Sequence, residues 1–377
     1  MVKSGHGEER GASLEKPLSH NSGVNQNFTR LSRGVGATTM TTISDVARTA
    51  GVSVATVSRV LNNNPKVDAR LVAKVRETIA TLGYQPSSVA RSLSTQRTHV
   101  WVLIISDILN PFFPEMVRGV ENVARSAGYS LVLCNAEEDP ETEASYFNLA
   151  VAEQARGVIL VPTNSNANLR ALIMRDVPVV TADRRLNSHD VDCVLVDNVR
   201  GAKQAVGHLI ERGYQRIACI TGPMESTTGA ERYAGYRLAH AEAGETFDEA
   251  LVQTGSFSEI AGHRAMQHLL SLRTRPDAVF AANNLMTIGA LHAIDEAKLV
   301  VPDDVGVVGF DDMSWASLVR PPLTSVAQPS YELGSEAARL LLSRIDGYSG
   351  PSRTVMLSPL LIVRESSTSK MAQMGAS

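Results

Sequence analysis

Residues 41–62 read TTISDVARTAGVSVATVSRVLN. Thr42 and Asp45 have the spacing of a capped helix start, and Ile43, Val46, Ala47 and Ala50 then lie on one apolar face. Gly51 breaks that helix and Ser53 caps a second, predicted from Val54 to Asn62 with Val57, Val60 and Leu61 on its inner face. Small Ala47 allows close approach, and Gly51 supplies the tight turn of a helix-turn-helix unit. Working outward, Asn62–Pro65 is a loop. Asp68 caps a third helix, whose Val72, Val75, Ile79 and Leu82 keep helical spacing until Gly83. A short serine-capped segment, SSVARSLS, follows from Ser87. The outward face of the second helix offers Val54, Ala55, Thr56, Ser58, Arg59 and Asn62, with no carboxylate. Such a face suits a DNA major groove: hydroxyls take phosphates and an arginine takes a guanine edge.

From His99 the pattern changes. Apolar runs (HVWVLII, SLVLC, GVILV, PVVTA) alternate with amphipathic helices, and a second series starts at CVLV and runs through RIACI and AVFAA to VGVVGF. Near-continuous apolar strands between helices imply parallel sheets covered on both faces. Two successive series imply two similar lobes with a cleft where strand C-termini face a ligand. The expected fold is therefore an N-terminal all-α helix-turn-helix head with a hinge helix, followed by an α/β two-lobed core. The domains expected are the head at 41–86, hinge and linker at 87–97, core at 98–366 and a tail at 367–377. Lobe 1 is expected at about 98–186 and 328–348, and lobe 2 at about 187–327 and 351–366. Residues 1–40 show no period and are expected to be a disordered extension. Met40 is the expected natural translation start, with a flexible DNA-contacting arm as the alternative.

Head and hinge together carry a second signal. GVSVATVSRVLNNNPKV followed by LGYQPSSVARSL closely resembles the DNA-binding head of the lactose/galactose-repressor family of bacterial transcription regulators, and the resemblance extends over essentially all of 41–366. It implies that Val54, Ala55 and Arg59 read bases and that Ser53, Thr56, Ser58 and Asn62 meet phosphate or groove edges. By the same resemblance Tyr84 packs and touches the DNA backbone. Ser87 contacts DNA beside a hinge helix that forms only on the operator, Ala90 in that segment is a further DNA-binding position, and Leu93 wedges between bases in the minor groove. A hinge helix this short needs a second copy, so a homodimer on a pseudo-palindromic operator is expected.

The core resembles periplasmic sugar-binding proteins. The ligand positions this implies are Asn110, Phe112 and Phe113 after the first strand, Asp183 at the end of PVVTAD, Ser226, Thr228 and Arg232 in GPMESTTGAER, and Phe257, Asn283 and Asp311 in the second lobe. Carboxylates and amides take paired sugar hydroxyls, an arginine donates a fork of hydrogen bonds, and phenylalanines stack on apolar ligand faces. Ser226 stands where the purine-responsive branch has arginine, which weighs against a purine. The expected effector is a sugar-type inducer.

Charge separates the two parts. Residues 40–97 hold 8 Lys/Arg against 3 Asp/Glu, a net of +5, residues 1–39 a net of +2, and the remainder a net of −10. A basic head and hinge on an acidic body leave DNA contact to the heads and hinges and predict steep salt dependence. No apolar run approaches membrane-spanning length. The three cysteines, Cys134, Cys193 and Cys219, fit neither a disulfide framework nor a zinc spacing, and a reducing, cytoplasmic setting is expected. No nucleophile elbow, phosphate loop, metalloprotease motif or dinucleotide fingerprint occurs. Accordingly no catalytic residue, metal or cofactor is expected. The alternative from another class is a soluble carbohydrate-binding or processing protein in which the head is incidental. A gel shift against the chain's own upstream DNA separates the two.

Overall fold

The structure is a computed structural model. It describes residues 41–61, 64–84, 98–187, 190–246 and 248–368. The chain divides into two compact units, Met1–Ser87 and Ser88–Ser377. The expected hinge at 87–97, with Ser87, Ala90 and Leu93, lies outside the described residues, as do Asn62, the first forty residues and 369–377.

In the first unit, α1 (Ile43–Ala50), α2 (Val54–Leu61) and α3 (Ala69–Leu82) surround a small core. Thr42 and Asp45 form a complete capping box. The hydroxyl and backbone N–H of Thr42 donate to the Asp45 carboxylate and hold it below its ordinary range. Gly51 takes the left-handed φ of 64° that ends α1, a conformation costly for a residue with a Cβ. Ser53 Oγ accepts the Thr56 N–H at 3.1 Å and starts α2. Val46, Ala47, Ala50, Val57, Val60, Val75 and Tyr84 are buried together.

The second unit holds two six-stranded sheets. The first runs β11-β5-β4-β3-β1-β2 and the second β12-β10-β9-β8-β6-β7. Lobe 1 contains β1 (Val100–Ile105), α4 (Phe112–Ser126), β2 (Ser130–Asn135), α5 (Pro140–Ala152), β3 (Gly157–Leu160), α6 (Arg170–Ile173), β4 (Val179–Ala182) and β5 (Asp192–Val196). Lobe 2 contains α7 (Asn198–Glu211), β6 (Ile217–Thr221), α8 (Thr227–Glu242), β7 (Val252–Thr254), α9 (Glu259–Leu270), β8 (Ala278–Ala281), α10 (Asn284–Glu296), β9 (Gly306–Phe310) and β10 (Thr324–Ala327). The chain then returns to lobe 1 for α11 (Ser330–Ile345) and β11 (Thr354–Leu357), and ends in lobe 2 with β12 (Leu360–Ile362). The pairing of β12 with β10 is antiparallel, and every other pairing is parallel.

Two expectations are corrected here. CVLV does not open the second lobe: Cys193 pairs with Thr181 of β4, so β5 belongs to lobe 1. Nor does all of 351–366 lie in lobe 2, because Val355 of β11 pairs with Val194 of β5. A strand buried on both faces reads the same in either sheet, so its residues carry no mark of which lobe takes it.

The returning segment is fixed by a buried carboxylate. Asp192, 1% exposed, accepts from Arg344 Nε at 2.9 Å, Arg344 Nη2 at 2.7 Å, Arg353 Nη2 at 2.6 Å and the Arg353 N–H at 2.7 Å. Burial pushes its pKa up, and the two guanidinium groups overcome that and hold it at about 2. A carboxyl depressed from 3.8 to about 2 contributes about 2 kcal/mol of stability above pH 4, lost as the pH falls through 2. Asp192→Asn should remove that acid-limb loss in urea melts between pH 4 and 2. An unchanged slope would show that other carboxylates carry it.

Candidate functional site

The two sheets present equivalent strand ends to one cleft. β4 and β9 each stand third in their sheet, and each is followed by an aspartate, Asp183 or Asp311. Both aspartates have left-handed φ, 65° and 72°, and each N–H donates to the neighbouring strand, Asp183 to Val194 O and Asp311 to Val326 O, both at 2.9 Å. Left-handed backbone is uncommon for residues with a Cβ, and aspartate tolerates it better than most. The repeat sets two buried carboxylates across the cleft from each other.

Asn110, Phe112, Phe113, Asp183, Arg184, Thr228, Arg232, Phe257, Asn283, Asp311 and Gln328 line one cavity of about 20 Å³. That is room for roughly one water, and the lobes meet beside it, where Asn284 Nδ2 of lobe 2 donates to Asn110 Oδ1 of lobe 1 at 2.8 Å. Nine of the ten sequence-predicted ligand residues meet there. The tenth, Ser226, sits just behind, its hydroxyl 2.8 Å from that of Thr228. Phe112 and Phe113 do double duty: both belong to the lobe 1 core, packed edge to face at 5.1 Å, and both reach the cavity. Phe257 lies against Gly222, where a Cβ would fall 2.1 Å from the ring.

Arg232 is 3% exposed and anchored on three sides. Its Nε donates to Asn198 Oδ1 at 2.8 Å, its Nη1 donates to Ala282 O at 2.6 Å, and its guanidinium lies 3.8 Å from the Phe310 ring centre. Burial lowers its pKa against the pull of Asp311 and Asp183, yet an arginine stays charged. Burial pushes Asp183 up to about 6, against the pull of Arg184 and Arg232. Asn283 caps α10 by accepting the Met286 N–H at 2.8 Å, which leaves its buried Nδ2 without a partner among the described residues. The same holds for one oxygen of Asp183 and the amide oxygen of Gln328. These orphaned groups face a site suited to a polar, hydroxyl-rich ligand.

Two lining residues were missed in the sequence, Arg184 and Gln328. Arg184 immediately follows Asp183, and that adjacency was the available signal. Its Nη1 and Nη2 donate to the two Glu138 oxygens at 2.8 and 2.6 Å. Glu143 lies just beneath, 1% exposed, accepting the Thr163 N–H at 2.7 Å, its pKa raised by burial to about 7. Gln328 donates to Asp311 from the crossover between β10 and α11.

In the head, α2 exposes Val54, Ala55 and Arg59, with Thr56 and Ser58 half-buried beside them. Val54 is 44% exposed, an apolar side chain left in solvent on a helix whose Val57 and Val60 are buried. Ser53 is exposed, its hydroxyl 2.9 Å from that of Thr56. The Tyr84 ring packs in the head core.

Residues 42–87 match the bacterial regulatory proteins of the lacI family, and residues 206–367 match a periplasmic binding protein-like domain. The chain is 39% identical over 329 residues to the ribose operon repressor of Escherichia coli (strain K12), covering 87% of this chain and 100% of that one. The chain belongs to the lacI family. Members of this family are DNA-binding transcription regulators, and this chain is a ligand-responsive one. Among solved structures, a transcriptional regulator CelR–cellobiose complex is 36% identical, with a TM-score of 0.68 over 86% of this chain and 99% of that one. The lac repressor dimer bound to operator and the anti-inducer ONPF is 26% identical, with a TM-score of 0.77 over 87% and 99%. None of the described helices is long and apolar enough to cross a membrane.

Proposed function

We propose that this lacI-family member represses a carbohydrate-utilisation operon and is released by a neutral sugar bound in the cleft. The charge arrangement of the cleft carries this reading. Arg184 is neutralised by its two-point contact with Glu138. Its Nε also lies 3.6 Å from Asp183 Oδ2. Glu138, Asp183 and Asp311 therefore stand against Arg184 and Arg232, an excess of one carboxylate that disfavours sugar phosphates and sugar acids. The orphaned Asn283 amide, Asp183 carboxylate and Gln328 carbonyl supply donor and acceptors for hydroxyls, and the three phenylalanines supply stacking faces. The names of two relatives, a ribose operon repressor and a cellobiose complex, point to the same chemical class. A thermal-shift screen tests the proposal. Neutral pentoses, hexoses or disaccharides should raise the melting temperature by binding the native state, with D-ribose first in the series. Stabilisation by sugar phosphates alone would overturn it.

The DNA-facing part of the proposal is a homodimer with two heads on a pseudo-palindromic operator, the second helix of each head in the major groove. Val54 and Ala55 meet thymine methyl groups, Arg59 takes a guanine edge, and Leu93 is the minor-groove wedge. Arg59→Ala should cost about 1–3 kcal/mol of discrimination at one base position, read by competition binding on operators varied base by base. Unchanged specificity would remove Arg59 from base reading.

A further inference from the structure

The tripeptide Asp183-Arg184-Arg185 leaves β4 in lobe 1 and touches lobe 2 at more than the cavity. Beyond the cavity wall, Arg185 Nη2 donates to Glu231 Oε1 at 2.5 Å, and the Arg185 N–H donates to Thr227 Oγ1 at 3.4 Å. Both acceptors lie in the first two turns of α8, in lobe 2. The second Glu231 oxygen accepts from Asn198 Nδ2 at 3.1 Å, and Asn198 Oδ1 accepts from Arg232 Nε at 2.8 Å. Asn198 is 1% exposed and opens α7, directly after the chain crosses from β5 of lobe 1. One unbroken chain of hydrogen bonds therefore runs from lobe 1 through Arg185, Glu231 and Asn198 to Arg232 in the cavity.

The geometry points to Arg185, Glu231 and Asn198 as positioning residues that aim Arg232 at the effector only when the lobes are closed. Closing brings Arg185 onto Glu231. Glu231 then joins Val196 O, which takes the same Nδ2 at 3.2 Å, in fixing the Asn198 amide with Nδ2 toward the carboxylate and Oδ1 toward Arg232. An opened cleft withdraws Arg185, and Glu231 and the amide lose that restraint. The arrangement couples effector affinity to closure through residues that do not line the cavity. It rests on the reading of the cleft as the effector site.

Two readouts separate this inference from that reading. The first needs no effector. Spin labels at Asn148→Cys in lobe 1 and Ala241→Cys in lobe 2, in labelled chain diluted with unlabelled chain, report the separation of the lobes. Arg185→Ala and Glu231→Gln should each shift the ligand-free distribution toward longer distances. The second is a double-mutant cycle in titrations with the neutral sugar that stabilises the wild type. Each single variant should weaken binding roughly three- to tenfold, and the double variant no more than the worse single, because both break the same link. Unchanged distances in both variants overturn the inference, and so do losses that simply multiply. If no sugar binds the wild type, the reading of the cleft fails and the distance measurement alone decides the latch.

Discussion

Arg232→Met is expected to leave operator binding intact and to abolish release by effector. Methionine keeps the unbranched stem and much of the volume, so packing against Phe310 is largely preserved. What goes is the charge and its fork of donors. Asn198 Oδ1 and Ala282 O lose the donors that Arg232 provides at 2.8 and 2.6 Å. Asp183 and Asp311 lose the cation between them, and burial then pushes the Asp183 carboxyl further toward its neutral form. Hydrogen bonds from a charged donor are worth about 1.5–3 kcal/mol each, so losing a fork of two weakens effector binding by roughly a hundredfold or more. Titration of the variant with the sugar that stabilises the wild type checks the loss. A gel shift with and without that sugar checks that repression persists and no longer responds. Binding within tenfold of wild type would take Arg232 out of the recognition set.

The residues legible in advance are those whose role is local or repeated. The capping box at Thr42 and Asp45, the turn at Gly51 and the cap at Ser53 act within four residues of themselves, and their letters suffice to place the head helices. Asp183 is legible because it directly follows an apolar strand, where a parallel sheet presents ligand-facing groups, whereas Asp311 entered by resemblance. Resemblance to a known family brought Arg232, Phe257 and Asn283 into the same set. The illegible features are long-range. The lobe assignment of β5 depends on which neighbour it pairs with, and its run of buried residues is equally good in either sheet. Gln328 lies on a crossover with no period of its own. Glu231 follows ordinary helix spacing, and only the meeting of the lobes brings Arg185 within 2.5 Å of it.

Asp183→Asn is expected to stabilise the unliganded protein at pH 8 while weakening effector binding, two effects of opposite sign from one buried carboxyl. Its pKa stands at about 6 in the fold against an ordinary 3.8, chiefly because burial penalises the charged form. The folded protein therefore binds this proton more tightly than the unfolded chain does. The resulting stability is fully present below pH 4 and is lost as the pH rises through 6. A shift of about two units corresponds to about 3 kcal/mol between those limits. Asparagine has the same shape without the charge, so at pH 8 the variant should recover roughly 1–3 kcal/mol of stability. The effector loses a charged acceptor for its hydroxyls, and affinity should fall about ten- to a hundredfold. Glu143, raised to about 7, gives a pH dependence of the same sign, lost through a higher pH. Glu143→Gln therefore serves as the control, because it keeps an acceptor for the Thr163 N–H. Urea melts of wild type, Asp183→Asn and Glu143→Gln from pH 4 to 8 resolve the two contributions. The stability gap between wild type and Asp183→Asn should open between pH 4 and 6 and then level off, and a gap that stays constant from pH 4 to 6 would remove Asp183 as its source.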